Sequence, residues 1–173
     1  MSEKYTLGID IGTTGVKASI LDVTSGKIVA HSLKEHPLFH PKPGYAEQEG
    51  DNYWKAVVEA VKQCFKQGAY ADKIAGVSLS GLVGVMLPID KNGKPVRPGM
   101  IWMDSRSEEE CTDIRNTIGE DIINQINGNR VAPWFLSIAS IVNLLKFGPK
   151  KRLSPSINIT GDSSSQLSHI VNA

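Results

Sequence analysis

The start of the chain shows the two-residue alternation of apolar and polar side chains that is typical of β-strands. Residues 5–9 and 16–23 are rich in β-branched and aromatic side chains, and a turn at 24–26 leads into a third run at 27–33. Connections this short join neighbouring antiparallel strands. The pattern therefore predicts a three-stranded antiparallel meander at the start of the chain.

Helical spacing begins after a loop at 38–50 that is rich in proline, glycine and histidine. Asp51 is a favourable N-cap residue, and Gly68 is a helix stop signal. Between them the apolar positions recur three and four residues apart, at Trp54, Val57, Val58, Val61, Cys64 and Phe65. We predict one amphipathic helix that buries this face, with Cys64 as a packing residue and not a nucleophile.

The middle of the chain predicts further strands, because its apolar runs are short and bounded by turn residues. They are expected at residues 73–79 and 85–89. A turn at Asn92 and Gly93 then leads to another short apolar run at 100–103. These segments are candidates to extend the sheet that the meander begins.

The rest of the chain is predicted to be mainly helical. Ser107 and Glu110 have the spacing of a capping box, and further helices are expected at 121–126 and 138–147. The apolar face of the helix after the capping box consists of Cys111, Ile114 and Ile118. The predicted order begins with strands and continues with strands interleaved with helices. This order indicates an α/β domain with a mixed sheet flanked by helices.

Composition limits the function more than the fold. The 173 residues include 19 Lys and Arg against 18 Asp and Glu, a net charge of +1, so a nucleic-acid partner is not indicated. No apolar run reaches the about 18 residues that a membrane-spanning helix needs. The two cysteines, Cys64 and Cys111, exclude a disulfide framework. We expect a cytoplasmic protein without a nucleic-acid or membrane partner.

The histidines do not form a metal-binding pattern. None of them has the spacing to cysteines or acids that metal sites show. We predict loop or surface positions for all of them, namely His31, His36, His40 and His169.

The connection between the first two predicted strands is the strongest candidate for chemistry. The segment GIDIGTTGVKASILD contains Asp10, Gly12, Thr13, Thr14 and Lys17. Glycine lets a ligand approach the backbone, N–H groups and threonine hydroxyls donate to phosphate oxygens, and lysine adds positive charge. The aspartate can hold Mg²⁺ through water. The alternative is a hairpin turn that only connects two strands.

This segment resembles the first phosphate loop of the actin-like ATPase superfamily, which includes sugar kinases and seventy-kilodalton chaperones. Later segments are similar to the FGGY family of carbohydrate kinases, and the resemblance runs from about residue 5 to 147. In order they are PGYAEQEGDNYW at 43–54, IAGVSLSG at 74–81, LPIDKNGKPVRPGMIWMDSR at 87–106 and GNRVAPWF at 128–135. A chaperone does not account for PGYAEQEG or IWMDSR.

The resemblance implies a ribonuclease-H-like, actin-like ATPase fold with ATP and Mg²⁺ as cofactors. It also implies transfer of the γ-phosphoryl group of ATP to a sugar or polyol hydroxyl, a reaction catalysed mainly by positioning and charge neutralisation. By the same resemblance the phosphate-binding residues are Asp10, Gly12, Thr13, Thr14 and Lys17, with Asp10 also holding the magnesium through water.

The resemblance places the sugar pocket at two other segments. The substrate-binding candidates there are Leu82, Val83, Trp102, Asp104 and Arg106. An aromatic face packs against sugar C–H groups, and charged side chains form strong hydrogen bonds with hydroxyls. The alternatives are a core position for Trp102 and a structural ion pair between Asp104 and Arg106.

The sequence departs here from two better-known branches of the family. Xylulose kinases usually carry Gln-Met-His after the strand that ends in SG, and glycerol kinases carry an Arg-Glu pair, whereas this chain has Leu82, Val83 and Gly84. The polar groups that would read those substrates are replaced, so a pentulose kinase is the nearest label and the sugar stays unassigned. A loop-fixing role at the cleft edge is expected for Tyr45, Glu47 and Gln48.

Family members are longer than this chain, and their catalytic aspartate and adenine-binding segment follow the matched region. We therefore assign no catalytic residue, Asp162 included. We expect an incomplete FGGY domain at 1–149 and an atypical tail at 150–173 that is disordered or rearranged. Uncovered apolar surface would favour a homo-oligomer, and the piece alone is expected to be inactive. The alternatives are a degenerate kinase domain that acts as a binding or assembly module, and a chaperone-type ATPase fragment.

Overall fold

The computed structural model describes residues 4–68 and 70–134 of the chain. These residues separate into two compact units: residues 4–37 and 51–82 form the first, and residues 38–50 and 83–134 form the second. Within them, no helix is long and apolar enough to span a membrane. Four sequence predictions lie outside the described residues: the helix at 138–147, the tail at 150–173, Asp162 and His169.

The first unit is built on a four-stranded mixed sheet. In chain order the elements of the whole described chain are β1 (Tyr5–Ile11), β2 (Gly15–Asp22), β3 (Lys27–Glu35), β4 (Glu47–Gln48), α1 (Gly50–Phe65), β5 (Ile74–Gly81), β6 (Gly99–Met100), α2 (Glu108–Thr117) and α3 (Glu120–Asn127). The sheet order is β3-β2-β1-β5. The first three strands form the predicted antiparallel meander, and β5 runs parallel to β1. The predicted mixed sheet is confirmed.

The core of this unit lies between one face of the sheet and α1. The sheet contributes Leu7, Ile9, Val16, Ala18 and Ile20, and the helix contributes Tyr53, Ala56, Val57, Ala60, Val61 and Cys64. The predicted helical face is wrong at its start, because Trp54 is 46% exposed and Tyr53 is buried in its place. The ring of His36 lies edge-on to the ring of Tyr53, 4.7 Å between centroids. That packing partner decides which of the two aromatic residues turns inward.

A small polar network joins α1 to the sheet inside this core. The Oγ of Ser32 donates to the carbonyl of Ala60 at 2.6 Å, and the Sγ of Cys64 lies 3.4 Å from that Oγ and 3.3 Å from the carbonyl of Ala18. Buried polar groups need such partners. The prediction that Cys64 is a packing residue is confirmed, and burial raises the pKa of its thiol, which makes it a poor nucleophile.

The second unit contains little regular sheet. Strand β4 pairs antiparallel with β6, and isolated bridges join Phe39 to Glu47, Met86 to Met100, and Ile89 to Pro95. The predicted strand at 85–89 is wrong, and the apolar run at 100–103 contributes only Met100 to a strand. Pro88 lies within the first stretch, and Pro95 and Pro98 come shortly before the second. A proline has no N–H to donate to a ladder.

Helices α2 and α3 follow within the second unit. Helix α2 begins after Ser107 as predicted, but the capping box is wrong, because the Ser107 side chain makes no cap bond and donates to the carbonyl of Pro133 at 3.5 Å. Buried Cys111 packs with Val131, whereas Ile118 is 48% exposed. Helix α3 confirms the prediction at 121–126 and ends at Gly128 with φ +72°, a left-handed position that glycine adopts readily.

Candidate functional site

The turn between β1 and β2 is a tight connection of small residues. Thr13 and Thr14 form its tip, and the N–H of Gly12 donates to the carbonyl of Gly15 at 3.0 Å. We call residues 12–15 the phosphate turn. The Thr14 side chain is exposed and that of Thr13 is half-buried. A turn of this kind presents backbone N–H and hydroxyl donors at the end of a rigid pair of strands.

Gly15 is required by the close approach of β3. A Cβ at this position would lie 2.7 Å from the carbonyl oxygen of Lys34 and 3.0 Å from the Cα of Glu35. Both atoms belong to the backbone of a paired strand and have no room to move away. The glycine therefore allows the beginning of β2 to lie directly against the end of β3.

His36 contacts the phosphate turn twice, although the sequence predicts a loop or surface position for it. Its backbone N–H donates to the carbonyl of Thr14 at 3.2 Å, and its Nε2 lies 3.1 Å from the carbonyl oxygen of Gly12. A carbonyl only accepts, so Nε2 is the donor. The residue is 7% exposed. His36 lies in the loop directly after β3, which agrees with the predicted loop or surface position, but it is buried there because its ring packs against Tyr53. His31 and His40 are exposed as predicted.

Asp10 and Lys17 lie opposite each other on the sheet. They are Cα partners in the antiparallel register of β1 and β2, and Ser80 is the partner of Asp10 on β5. Side chains of paired residues lie on the same face of a sheet. All three line a cavity of about 490 Å³ in the first unit. The five phosphate-binding candidates are thus gathered at one end of β1 and β2.

This arrangement fits a phosphate group accompanied by a magnesium ion. Asp10 is half-buried and Lys17 is exposed, so both side chains can reach a ligand in the cavity. Among the described residues, no cluster of three or more His, Cys, Asp or Glu side chains forms a metal cage. One carboxylate with waters and phosphate oxygens is the usual coordination of Mg²⁺, and it suits a site with a single aspartate.

In the second unit, Asp104 and Arg106 form a buried ion cluster with Glu47. The guanidinium of Arg106 donates to Asp104 at 2.6 and 2.8 Å and to Glu47 at 2.6 Å. Asp104 also accepts from the backbone N–H groups of Ala46 at 2.8 Å and of Arg106 itself at 3.1 Å. The Arg106 and Asp104 side chains are 3% and 5% exposed. Both carboxylate oxygens of Asp104 and the Nε and Nη2 atoms of Arg106 are thus bonded within this cluster.

Aromatic and cationic neighbours complete this ion cluster. The Arg106 guanidinium lies over the ring of Tyr45, 3.8 Å from its centroid. Burial lowers the pKa of Arg106, but the hydrogen bonds that it donates to Asp104 and Glu47 outweigh this effect and hold the pKa above the ordinary value. Burial, followed by the charge of Arg106, lowers the pKa of Arg97. The predicted loop-fixing role of Glu47 and Tyr45 agrees with these contacts.

Trp102 is a sugar-side candidate whose side chain stays accessible. It is 46% exposed, so the alternative of a core position is wrong. Gly84, at φ +80°, approaches it closely, because a Cβ there would lie 3.2 Å from the Cβ of Trp102. Val83 is 73% exposed, and Leu82, in the first unit, donates its N–H to Ile11 at 2.8 Å. A cavity beside Gly84 in the second unit measures about 10 Å³, room for one water at most.

Sequence reasoning missed two residues of these sites. Nothing in the local pattern singles out His36 from the other histidines, because its contacts depend on β3 returning to the phosphate turn. Ser80 lies in a segment assigned to the sugar side, and only the parallel pairing of β5 with β1 brings it beside Asp10. The pairing of Arg106 with Glu47 spans 59 residues and carries no local signal.

Comparison with known proteins identifies a family and relatives that are similar to most of this chain. Residues 5–146 match the family model described as the FGGY family of carbohydrate kinases, N-terminal domain. The chain is 32% identical over 131 residues to a xylulose kinase of Staphylococcus xylosus, covering 76% of this chain and 27% of that protein. It is 31% identical over 137 residues to a glycerol kinase of Oceanobacillus iheyensis, covering 78% and 27% respectively.

A solved structure shows the same fold. A gluconate kinase from Lactobacillus acidophilus superposes with a TM-score of 0.78 at 25% identity, covering 84% of this chain and 29% of that one. The chain thus spans about 27% of the length of the curated relatives it matches. The actin-like ATPase fold predicted from the sequence is confirmed.

Proposed function

Because the chain belongs to the FGGY family of carbohydrate kinases, we propose that it carries the phosphate-binding part of a kinase that transfers the γ-phosphoryl group of ATP to a sugar or polyol hydroxyl. The observation that supports this most directly is the pairing of Asp10 with Lys17 beside the phosphate turn, where both line one cavity.

Each group at the turn has a role in this proposal. Lys17 neutralises and orients phosphate oxygens, and the N–H groups and hydroxyls of Thr13 and Thr14 donate hydrogen bonds to them. Asp10 holds Mg²⁺ through water, which supplies further charge neutralisation. Phosphoryl transfer depends mainly on such positioning and charge stabilisation. No residue of the chain is proposed as the catalytic base.

Trp102 is proposed to bind the sugar, and neighbouring residues are proposed to hold its segment in place. The exposed indole offers an apolar face for sugar C–H groups, and exposed Val83 adds apolar surface in the same unit. Asp104 and Arg106 hold the segment that carries the indole, and they remain proposed hydrogen-bond partners of sugar hydroxyls. The relatives named above act on xylulose, glycerol and gluconate, and a pentulose such as xylulose is the proposed acceptor class.

Titration calorimetry with Mg·ATP tests the phosphate role. We expect the chain to bind the nucleotide. Lys17→Met should weaken binding roughly ten- to hundred-fold, because this is the effect of losing one hydrogen bond to a charged group. Lys27→Met is the matched control, because Lys27 is also exposed but lies at the far end of the sheet, opposite Asp22. Equal affinities for the two variants would contradict the proposal.

An ATP turnover assay with xylulose, glycerol and gluconate, using the complete protein, tests the acceptor class. Sugar-dependent turnover supports the kinase, and Trp102→Ala is expected to raise KM for the sugar with little effect on Mg·ATP binding. Sugar-independent hydrolysis would favour a chaperone-type ATPase, and nucleotide binding without turnover would favour a binding or assembly module.

A further inference from the structure

We propose that His36 is a positioning residue that holds the phosphate turn in its anion-binding shape. This inference rests on the phosphate role proposed above for residues 12–15. One residue bonds two carbonyls of the turn, with its ring at Gly12 and its backbone N–H at Thr14. The two acceptors flank Thr13, so both sides of the turn are attached to the same point of the chain.

The direction of these bonds has a consequence for the donors of the turn. All described peptide bonds are trans, and in a trans peptide the carbonyl and the following N–H point in opposite directions. Holding the Gly12 and Thr14 carbonyls towards His36 therefore directs the N–H groups of Thr13 and Gly15 away from it. An anion site made of backbone donors depends on such fixed directions, because donors that reorient on binding lose part of the binding energy.

His36 is itself held in place by the core. Its ring lies edge-on to Tyr53 with an interplanar angle of 62°, and both residues are 7% exposed. Tyr53 belongs to α1, which packs against the sheet. The ring therefore has no room to rotate, and it connects the phosphate turn to the helix that covers the opposite side of the first unit's core.

Variants of His36 separate the hydrogen bond from the packing. His36→Phe keeps an aromatic ring beside Tyr53 and removes the donor, whereas His36→Gln loses the ring and keeps an N–H donor at about the position of Nε2. His40→Phe is the matched control, because His40 also bonds a backbone carbonyl, that of Tyr45 at 2.7 Å, but is exposed.

Calorimetry with magnesium tripolyphosphate as the probe measures the effect. We expect His36→Phe to weaken binding about three- to ten-fold, the range for one lost hydrogen bond, and His36→Gln to stay within about two-fold of the unaltered chain. His40→Phe should bind unchanged. A His36→Gln variant as weak as His36→Phe, or a His36→Phe variant as tight as the unaltered chain, would overturn the inference.

Amide hydrogen exchange without a ligand gives the second readout. In His36→Phe the amides of Gly12 and of residue 36, which donate to the carbonyls of Gly15 and Thr14, should exchange about ten-fold faster, as expected for local opening, while those of Ala18 and Ile20 in β2 stay unchanged. Equal acceleration along β1 and β2 would show a merely structural role and overturn the inference. If the unaltered chain does not bind the probe, the phosphate role itself fails, which is a different result from equal binding by the variants.

Discussion

The two units position their candidate groups by different physical means. In the first unit a four-stranded sheet with a continuous apolar core fixes Asp10, Lys17 and the phosphate turn through backbone pairing. In the second unit, short strands and separate small clusters surround a buried group of charges, and side-chain bonds from Asp104 and Arg106 fix the loops. Backbone ladders tolerate changes of side chain that a buried ion cluster does not.

This contrast has a functional side. Phosphate recognition uses groups that every nucleotide presents, so a rigid backbone turn suits it. Sugar recognition must differ between members of a family, and loops held by side chains change with few substitutions.

The largest effect is expected from Arg106→Leu. The substitution removes the guanidinium that is hydrogen-bonded to buried Asp104 and half-buried Glu47. Breaking a buried ion pair costs about 3–5 kcal/mol of the free energy of unfolding. Urea denaturation measures the loss. Lys34→Leu is the control: it removes an ion pair with Glu59 whose side chains are 46% and 53% exposed, worth under about 1 kcal/mol. Similar losses of stability in the two variants would contradict the inference that the second unit depends on buried side-chain bonds.

A smaller loss is expected from Gly15→Ala. The new Cβ meets the backbone of β3 at Lys34, and overpacking of this kind costs about 1–3 kcal/mol. Gly76→Ala in β5 is the control, because a Cβ there meets only the Thr6 side chain at 4.0 Å. Thermal unfolding compares the two variants. A neutral Gly15→Ala would show that the turn is not pressed against β3.

Ser32→Ala tests the polar network of the first core. The change removes the bonds to the Ala60 carbonyl and the Cys64 thiol, and one buried hydrogen bond is worth about 1 kcal/mol. Chemical denaturation should show a loss of that order, with Ser78→Ala, at an exposed position of the same sheet, close to neutral. A loss as large as that of Arg106→Leu would mean that the first unit also depends on side-chain bonds.

The smallest effect at neutral pH concerns Cys111 of the second unit. Burial, followed by the charge of Glu108, raises its pKa from 9.0 to about 11. The folded state keeps a proton that the unfolded state loses, so stability falls as the pH rises from 9.0 to about 11. Unfolding measured across this range should show the decrease, and Cys111→Ala should make it smaller. The part that remains comes from groups such as Cys64, whose pKa burial also raises. Alkylation of the native thiol at pH 8 should be on the order of a hundred-fold slower than that of a free cysteine.

Local pattern was sufficient for the meander, for α1 and for the gathering of Asp10, Gly12 and Lys17, because strand alternation and a two-residue turn are set by neighbours in the chain. It was insufficient for the strand expected at 85–89, where prolines removed ladder donors. It also failed for Trp54, because neighbouring Tyr53 is the residue that packs inward against His36. It failed for the Ser107 capping box, because the Ser107 side chain donates to the carbonyl of Pro133 instead.

By itself the amino-acid sequence determined the family, the mixed α/β fold and the position of the phosphate turn, since each depends on residues close together in the chain. Only the tertiary structure decided that His36 supports that turn, that Ser80 lies beside Asp10, and that Arg106 binds Glu47. These contacts join residues 24, 70 and 59 positions apart. Whether such residues meet depends on how strands pair and helices pack, and no local periodicity contains that information.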